Sequence, residues 1–363
     1  MPISRRSRPT PNGASRSCSR ARAAAAGGGD SGKRAAMRIA IDEAHALLTQ
    51  VMAKLGFEAG DIPAIVDHLI DCELRGVSYG GLARAVSITE RIERTGQPSR
   101  PIAITHETPV SARIDGADHV GYIVGQRATD MAIGKAEAMG LSAVGAVDTW
   151  YTGMLSYFAE QAAARDLVTM IASNATPWVA PYGAAEGRFG TNPICFGFPS
   201  ADRPIVWDIG TSTIMHAEVL LARRTGRPLP EGRAFGPDGR PTTDPDAALA
   251  GAFAAWGGHK GSGLGLVVQM LGVLAGSEGI TPDLAGFGMV IVAIRPDIFG
   301  DTEGFKQRIA DYAEAVRTAR PADPAHPVRM PFDRSWAVRE AARASGGFEA
   351  DEAIVERLRA FAG

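Results

Sequence analysis

Five short segments carry polar, aromatic or glycine residues that core packing does not call for. They are Arg75-Gly-Val-Ser-Tyr-Gly-Gly-Leu-Ala-Arg84, Val147-Asp-Thr-Trp-Tyr-Thr-Gly153, Gly190-Thr-Asn-Pro193, Asp208-Ile-Gly-Thr-Ser-Thr213 and Gly257-Gly-His-Lys-Gly-Ser-Gly263. In the first, Arg84 offers a planar fork that suits a carboxylate bidentately. Tyr79 is a phenol, protonated at neutral pH and able to hand a proton to a developing alkoxide or amine. The plainer alternatives are a tyrosine packed in a loop with its hydroxyl on backbone, and an arginine on a solvated helix face. Asp208 follows the apolar run Ile205-Val-Trp and precedes a Gly/Thr/Ser turn. That is a place for the orienter of a proton donor, or for an Asp that merely caps a turn. The last segment runs into an apolar helix. Its glycines allow close backbone approach, its first N–H groups suit a phosphate, and Lys260 adds a point charge.

The elements that must position these groups can be read from periodicity. Apolar residues recur at helical spacing over 41–55 and stop at Gly56. Asp61-Ile-Pro-Ala opens a second helix with Asp61 as its cap, and a third ends at Gly96. Strand and helix signals then alternate. Strand residues 111–114 lead to a turn at Asp115-Gly116, followed by a helix over 126–139, a strand over 142–147 and a helix over 153–165. Further strands fall at 167–174 and 204–208, with a Gly/Pro-rich stretch at 179–199 between them. A polar segment, 223–245, carries the turn Asp238-Gly239. Residues 264–274 are apolar on nearly every face, which predicts a buried helix. A strand over 289–294 and helices near 305–318, 335–345 and 351–361 close the chain. The class is α/β, without the glycine fingerprint that follows the first strand of a doubly wound dinucleotide fold.

Composition narrows the classes further. With 45% apolar and 21% charged residues the balance is that of a soluble globular protein. Cys18, Cys72 and Cys195 are too few for a disulfide framework, and no Cys/His spacing suggests zinc. No apolar run is long enough to cross a bilayer. Seven Arg, one Lys and one Asp give residues 1–36 a charge of +7, which leaves −9 on the other 327. A net-acidic body argues against a nucleic-acid partner. Residues 1–36 lack a hydrophobic period and are expected to be disordered. They have no apolar core of a secretory signal, so a cytoplasmic protein is expected. As an Arg- and Ser-rich leader they have two readings, an organelle transit peptide or a translation start that belongs at Met37. Gly27, Gly29 and Gly32 match a dinucleotide-loop spacing there, but no strand precedes them and no helix follows.

Taken together, in this order and spacing, the five segments resemble the malate/L-lactate dehydrogenase family that lacks a Rossmann fold, over roughly residues 38–345. The resemblance implies a mixed-sheet cofactor domain with helical N- and C-terminal parts packed on it, divided near 37–115, 116–300 and 301–363. It implies NAD(P)H as cofactor, a small carboxylate as substrate, no membrane or nucleic acid, and a homodimer. The family pattern R-G-x-x-S-H-G-x-x-R is met by Arg75, Gly76, Gly81 and Arg84, but Tyr79 stands at the Ser position and Gly80 at the His position. Shifting by one pairs Ser78 with Ser and Tyr79 with His. Either way the imidazole that works beside the reacting carbon is missing, and Tyr79, with Ser78, is the donor left. Tyr151 likewise replaces the His of H-x-G before Gly153, as a second hydroxyl near the site or as a packing aromatic. Arg84 falls on the family's substrate-carboxylate position. Asp208, Ile209, Gly210, Thr211 and Ser212 fall on its D-[MAG]-[AS]-T-S segment, which contacts cofactor and polarises the donor. His259, Lys260 and Asn174 fall on its cofactor side. The implied activity is reduction of a 2-oxo or cyclic 2-imino carboxylate, or the reverse. A cofactor-binding paralogue with altered or lost redox chemistry is the alternative that the two replaced histidines raise.

Overall fold

Strand Ala36–Ala40 (β1) opens the described part of the chain, since the computed structural model describes residues 36–363. It is followed by helices α1 (Ile41–Lys54), α2 (Ile62–Leu74) and α3 (Leu82–Thr95), with a single 3-10 turn, Ser78–Gly80, before α3. Leu47, Leu48, Val51 and Met52 of α1 and Ile65, Val66 and Leu69 of α2 form the apolar stripes that bury against one another. Asp61 stands before α2 but makes no side-chain cap; it pairs with Arg127 instead.

The chain then builds one large sheet. Its strands are β2 (Ala103–Glu107), β3 (Ser111–Val120), β4 (Leu141–Trp150) and β5 (Val168–Ser173), interrupted by α4 (Gly121–Met139) and α5 (Leu155–Ala163). After a two-residue β6 (Val179–Ala180) come β7 (Ile194–Phe198) and β8 (Ile205–Ile209). Next are α6 (His216–Thr225), β9 (Ala234–Phe235), β10 (Pro241–Thr242), α7 (Pro245–Ala250), β11 (Ala252–Ala254) and α8 (Gly258–Ala275). Strand β12 (Phe287–Ile294) returns to the large sheet, giving the order β2-β3-β4-β12-β5-β7-β8. Only β3 and β4 run parallel; every other pair is antiparallel. Helices α9 (Thr302–Arg317) and α10 (Asp333–Ser345), strand β13 (Gly347–Asp351) and α11 (Glu352–Ala362) complete the fold. β13 pairs with β1, so the last elements close on the first helices.

The sheet has two covered faces, and the period-2 alternation of its strands says which residue meets which layer. Ile114, Val144, Ile171, Cys195 and Ile291 face α4 and α5. Ala172 and Ile194 face α8 through Val268. α8 comes close because Gly272 lies against Asn174, where a Cβ would overlap the Asn side chain. β6, β9, β10 and β11 make a separate small sheet packed with α6 and α7.

Several expectations differ from the structure. Asp115-Gly116 is not a hairpin turn but lies inside β3, where the register with β4 shifts between Asp115 and His119 and Ala117 and Asp118 take positive φ. Asp115 accepts from the Ala117 N–H there, so the Asx geometry that favours turns serves a bulge. The β2–β3 turn is set by Thr108, whose N–H donates to Ser111 O at 2.8 Å. Helix α8 is not buried all round: Leu266, Met270, Val273 and Leu274 are exposed, Leu274 at 76%. The Gly/Pro-rich stretch at 179–199 also contains β7, a strand inside the sheet. The expected boundary near 115 falls within β3, and the Ala36 end of the leader lies in β1; residues 1–35, including the glycine spacing at 27–32, lie outside the described residues. Among those described, no helix is long and apolar enough to cross a membrane, and no His/Cys/Asp/Glu cluster could hold a metal.

A buried ion network locks the C-terminal part to the rest. Arg75 donates to Asp71 and Glu160, while Arg339 from α10 donates to Glu160 at 2.7 Å and Asp71 at 3.2 Å. Removing Arg339 leaves two buried carboxylates sharing the single cation Arg75, one negative charge uncompensated away from water. Arg339→Met is therefore expected to lower the stability of the chain by about 3–5 kcal/mol, read from equilibrium urea unfolding. A loss below about 1 kcal/mol, the worth of an exposed pair, would show that the network does not hold α10.

Candidate active site

The C-terminal ends of β3, β4, β5 and β8 and the beginnings of β7 and β12 meet at one edge of the large sheet, and a cavity of about 680 Å³ opens there. Ligands of open α/β sheets sit at this end, where loops leave the strands and backbone groups are unpaired. The 3-10 turn before α3 supplies Tyr79 and Gly80 to its wall, α3 supplies Arg84, and residues 329–335 supply Arg329, Phe332 and Arg334.

Arg84 lies one turn into α3, and the start of that helix is fixed by a carboxylate. Glu73 accepts from the Leu82 N–H at 2.6 Å, and Gly81 lies so close that a Cβ would overlap the Glu73 side chain. Burial pushes the Glu73 carboxyl up to about 8, with the Leu82 N–H holding it down. The Arg84 guanidinium stacks on the Tyr151 ring, 3.9 Å from its centroid. Its Nη1 is buried without a hydrogen-bond partner, and no carboxylate pairs with Arg84 among the described residues. Tyr151 in turn is held by backbone: it takes φ +51°, Gly153 takes φ +76°, and the Met154 N–H donates to His68 Nε2 at 2.9 Å. That buried imidazole is depressed to about 3, first by burial and then by Arg75, so it stays a neutral acceptor.

Tyr79 faces the same cavity, and its hydroxyl has no partner among the described residues. Burial raises its pKa above the ordinary phenol value, and Glu218, Cys72 and Asp208 push the same way against Arg84. The phenol therefore keeps its proton at neutral pH. Ser78 is exposed and does not line the cavity, which removes it from the path of that proton.

Asp208, at the end of β8, reaches across to the start of α5 and accepts from the Ser156 N–H at 2.8 Å. Burial raises its carboxyl to about 6, with the Ser156 and Leu155 N–H groups pulling it down. It caps a helix and lines the cavity at once. Gly210 lines the wall beside it. The rest of the segment is structural: Ile209 packs in the core beneath α8, Thr211 Oγ1 donates to Thr191 O and Asn192 O, and Ser212 Oγ donates to Ile214 O. Asn174 lines the cavity, but its side chain is committed, accepting from Gly288 N–H and donating to Ser277 Oγ, both at 2.6 Å. His259 and Lys260 are exposed at the start of α8 and are not part of the cavity wall. Of the expected residues, Tyr79, Arg84, Tyr151, Asn174, Asp208 and Gly210 come together.

Several residues at the site carried no readable signal. His216, the first residue of α6, lines the cavity and stacks on Trp178, rings parallel to within 2° and 3.8 Å apart. In sequence it is a lone histidine in Met-His-Ala-Glu, indistinguishable from a surface one. Arg329 and Arg334 sit in a polar C-terminal stretch that no motif marks.

With this geometry in hand, similarity to known proteins can be weighed. The family described as malate/L-lactate dehydrogenase matches residues 39–359. The chain is 32% identical to Delta(1)-pyrroline-2-carboxylate reductase of Ancylobacter novellus, covering 85% of this chain and 93% of that protein. It is also 32% identical to (2R)-3-sulfolactate dehydrogenase (NADP(+)) of Chromohalobacter salexigens, over 89% of this chain and 98% of that one. The crystal structure of a dehydrogenase from Sinorhizobium meliloti superposes with a TM-score of 0.84 at 30% identity, over 91% of this chain and 99% of that chain. A sheet edge lined by the residues of the recurring motifs, within a match that spans nearly all the described chain, has one reading: the protein belongs to the malate/L-lactate dehydrogenase family of NAD(P)-dependent dehydrogenases and reductases.

Proposed function

We propose that the chain moves a hydride between a nicotinamide cofactor and carbon 2 of a small carboxylate, interconverting a 2-oxo or cyclic 2-imino acid with the 2-hydroxy or 2-amino acid. The observation that carries this reading is Arg84, a guanidinium with no carboxylate of its own among the described residues, held over the ring of Tyr151 in the same cavity as an unpartnered phenol. The activities named for the two relatives above, on an imino acid and a hydroxy acid, fall within this class.

The cavity is large enough for a heteroaromatic ring with a small acid, since ligand pockets span about 300–1,000 Å³. Its mixed wall suits that ring: Trp178 and Ala175 on the apolar side, Thr191 and Gly210 at the strand ends. When bound there, the nicotinamide supplies the hydride. The protein does the rest. Arg84 takes the substrate carboxylate through charge-assisted hydrogen bonds, and its stacking on Tyr151 fixes the plane of the fork. Tyr79 gives its proton to the oxygen or nitrogen on carbon 2 as charge develops. Asp208 is the nearby negative charge that helps keep the phenol protonated until that moment. We place a second copy of the chain against the exposed Leu266, Met270, Val273 and Leu274 of α8, a stripe at helical spacing whose burial removes apolar surface from water.

Titration with NADH and NADPH, then turnover of a panel of 2-oxo acids and cyclic imino carboxylates, tests the reaction. Cofactor binding with turnover of none would favour the paralogue without this redox chemistry. Tyr79→Phe is expected to cut kcat by ~10²–10⁴, the usual worth of a positioned proton donor, with KM little changed. Arg84→Met should raise KM by ~10–100-fold, the scale of hydrogen bonds to a charged group. In kcat/KM against pH, no loss through Tyr79 is expected as pH drops through about 6, where Asp208 gains its proton, because the phenol keeps its own proton there with or without that neighbouring charge; Asp208→Asn should leave that limb unchanged. Light scattering after chromatography should give a dimer for the wild type and a monomer for Met270→Asp.

A further inference from the structure

His216 occupies an unusual position for a histidine that only packs. Its ring lies flat on Trp178 and 6.4 Å from Phe253, so its orientation is set. Nδ1 has no exposed surface and no hydrogen-bond partner. Nε2 also makes no hydrogen bond, yet it is not enclosed, and the ring lines the cavity that holds Tyr79, Arg84 and Asp208. One nitrogen is therefore sealed and the other is presented to whatever fills the site. The two positions where the family pattern calls for an imidazole hold Gly80 (or, shifted by one, Tyr79) and Tyr151 here, and all three residues line this same cavity.

We infer that His216 is a catalytic residue of this enzyme, a neutral imidazole whose Nε2–H donates to the oxygen or nitrogen on carbon 2 of the substrate while Arg84 holds its carboxylate. The inference rests on the reaction proposed above. Protonating both ring nitrogens would place an N–H on the sealed Nδ1 with no acceptor, leaving a buried donor unsatisfied. Burial disfavours the cation, and so do three guanidinium groups, Arg84 of α3 and Arg223 and Arg224 of α6. Tyr79 and Glu218 are further titratable groups of the neighbourhood, and Cys72, Tyr151, Asp208, Arg329 and Arg334 line the same cavity. The tautomer that avoids a buried N–H without an acceptor carries its hydrogen on Nε2 and points it into the cavity. A neutral imidazole donating to a carbonyl oxygen polarises it without bringing a full charge beside the arginine. Tyr79 then delivers the proton, and no atom of His216 changes hands.

The test uses the full chain with NADH and oxamate, a non-reacting analogue of a 2-oxo carboxylate. In 15N spectra of the histidine rings, assigned by loss of signal in His216→Gln, His216 should be neutral with its hydrogen on Nε2 at pH 7. That Nε2 resonance should shift on adding oxamate to the NADH complex. His216→Phe, which keeps the stack on Trp178, should lose ~10²-fold in kcat while NADH affinity stays within about twofold, and His216→Gln, which restores a donor, should recover part of the loss. An unmoved ring resonance together with full turnover in His216→Phe overturns the inference and leaves the proposed reaction standing. A wild type that turns over no 2-oxo or 2-imino acid overturns both.

Discussion

A guanidinium withdrawn from water needs either a counter-ion or a reason to wait for one, and Arg84 has the second. It lies on the face of Tyr151, whose ring quadrupole offsets part of the lost hydration, and its Nη1 is left without an acceptor. The surroundings can be understood as the means of holding that unsatisfied charge in place. Glu73 sets the first turn of α3 from below, and His68 fixes the 151–154 bend by accepting the Met154 N–H. Neither of these buried groups lines the cavity. His68 holds Met154, which does, and Glu73 holds the turn that leads to Arg84.

The same logic reaches the C-terminal part. Arg75 opens the motif that ends at Arg84, and its own guanidinium pairs with Asp71 through Nε and with Glu160 through Nη2, its Nη1 left without a partner, while its carbon lies over Phe332, 4.4 Å from the ring centroid. Arg339 shares both carboxylates from α10. Phe332, forced to φ +75° at the start of that helix, is part of the cavity wall. One buried ionic cluster therefore ties α2, α5 and the 329–335 wall together, and the two arginines of one motif have opposite fates. Arg75 is neutralised to build the site; Arg84 is left unpaired to use it.

Electrostatics explains how a site without the expected imidazoles remains consistent. Three arginines face or flank the cavity, and the carboxylates near Tyr79 raise its pKa instead of ionising it. A raised phenol and a depressed imidazole are both neutral at pH 7, so beside Arg84 they offer a ligand hydrogen bonds and no charge of their own. The proposed reaction uses this contrast, with an anion at Arg84 and neutral donors for the adjoining atom.

How much of this was legible follows from the range of each interaction. Helices α1, α2, α3 and α4 declared themselves because their apolar spacing and glycine stops are local signals, and the order of five motifs pointed to Arg84, Tyr79 and Asp208. The Asp115-Gly116 pair misled because the same Asx bond serves a turn or a bulge, and only the pairing with β4 decides between them. The apolar α8 misled because hydrophobicity says that a face is to be covered, not by what. β1 and β13 escaped notice, being two short strands joined across nearly the whole chain. His216 is the sharpest case. Its residue type was visible, but what matters is a sealed Nδ1, a parallel indole and an open cavity. Those come from β8, α6 and the loop after β5 converging, and long-range convergence leaves no periodicity along the sequence. Residue types and their order determined the class of chemistry; which polar atoms are satisfied, and which are left waiting, was decided only when distant segments packed together.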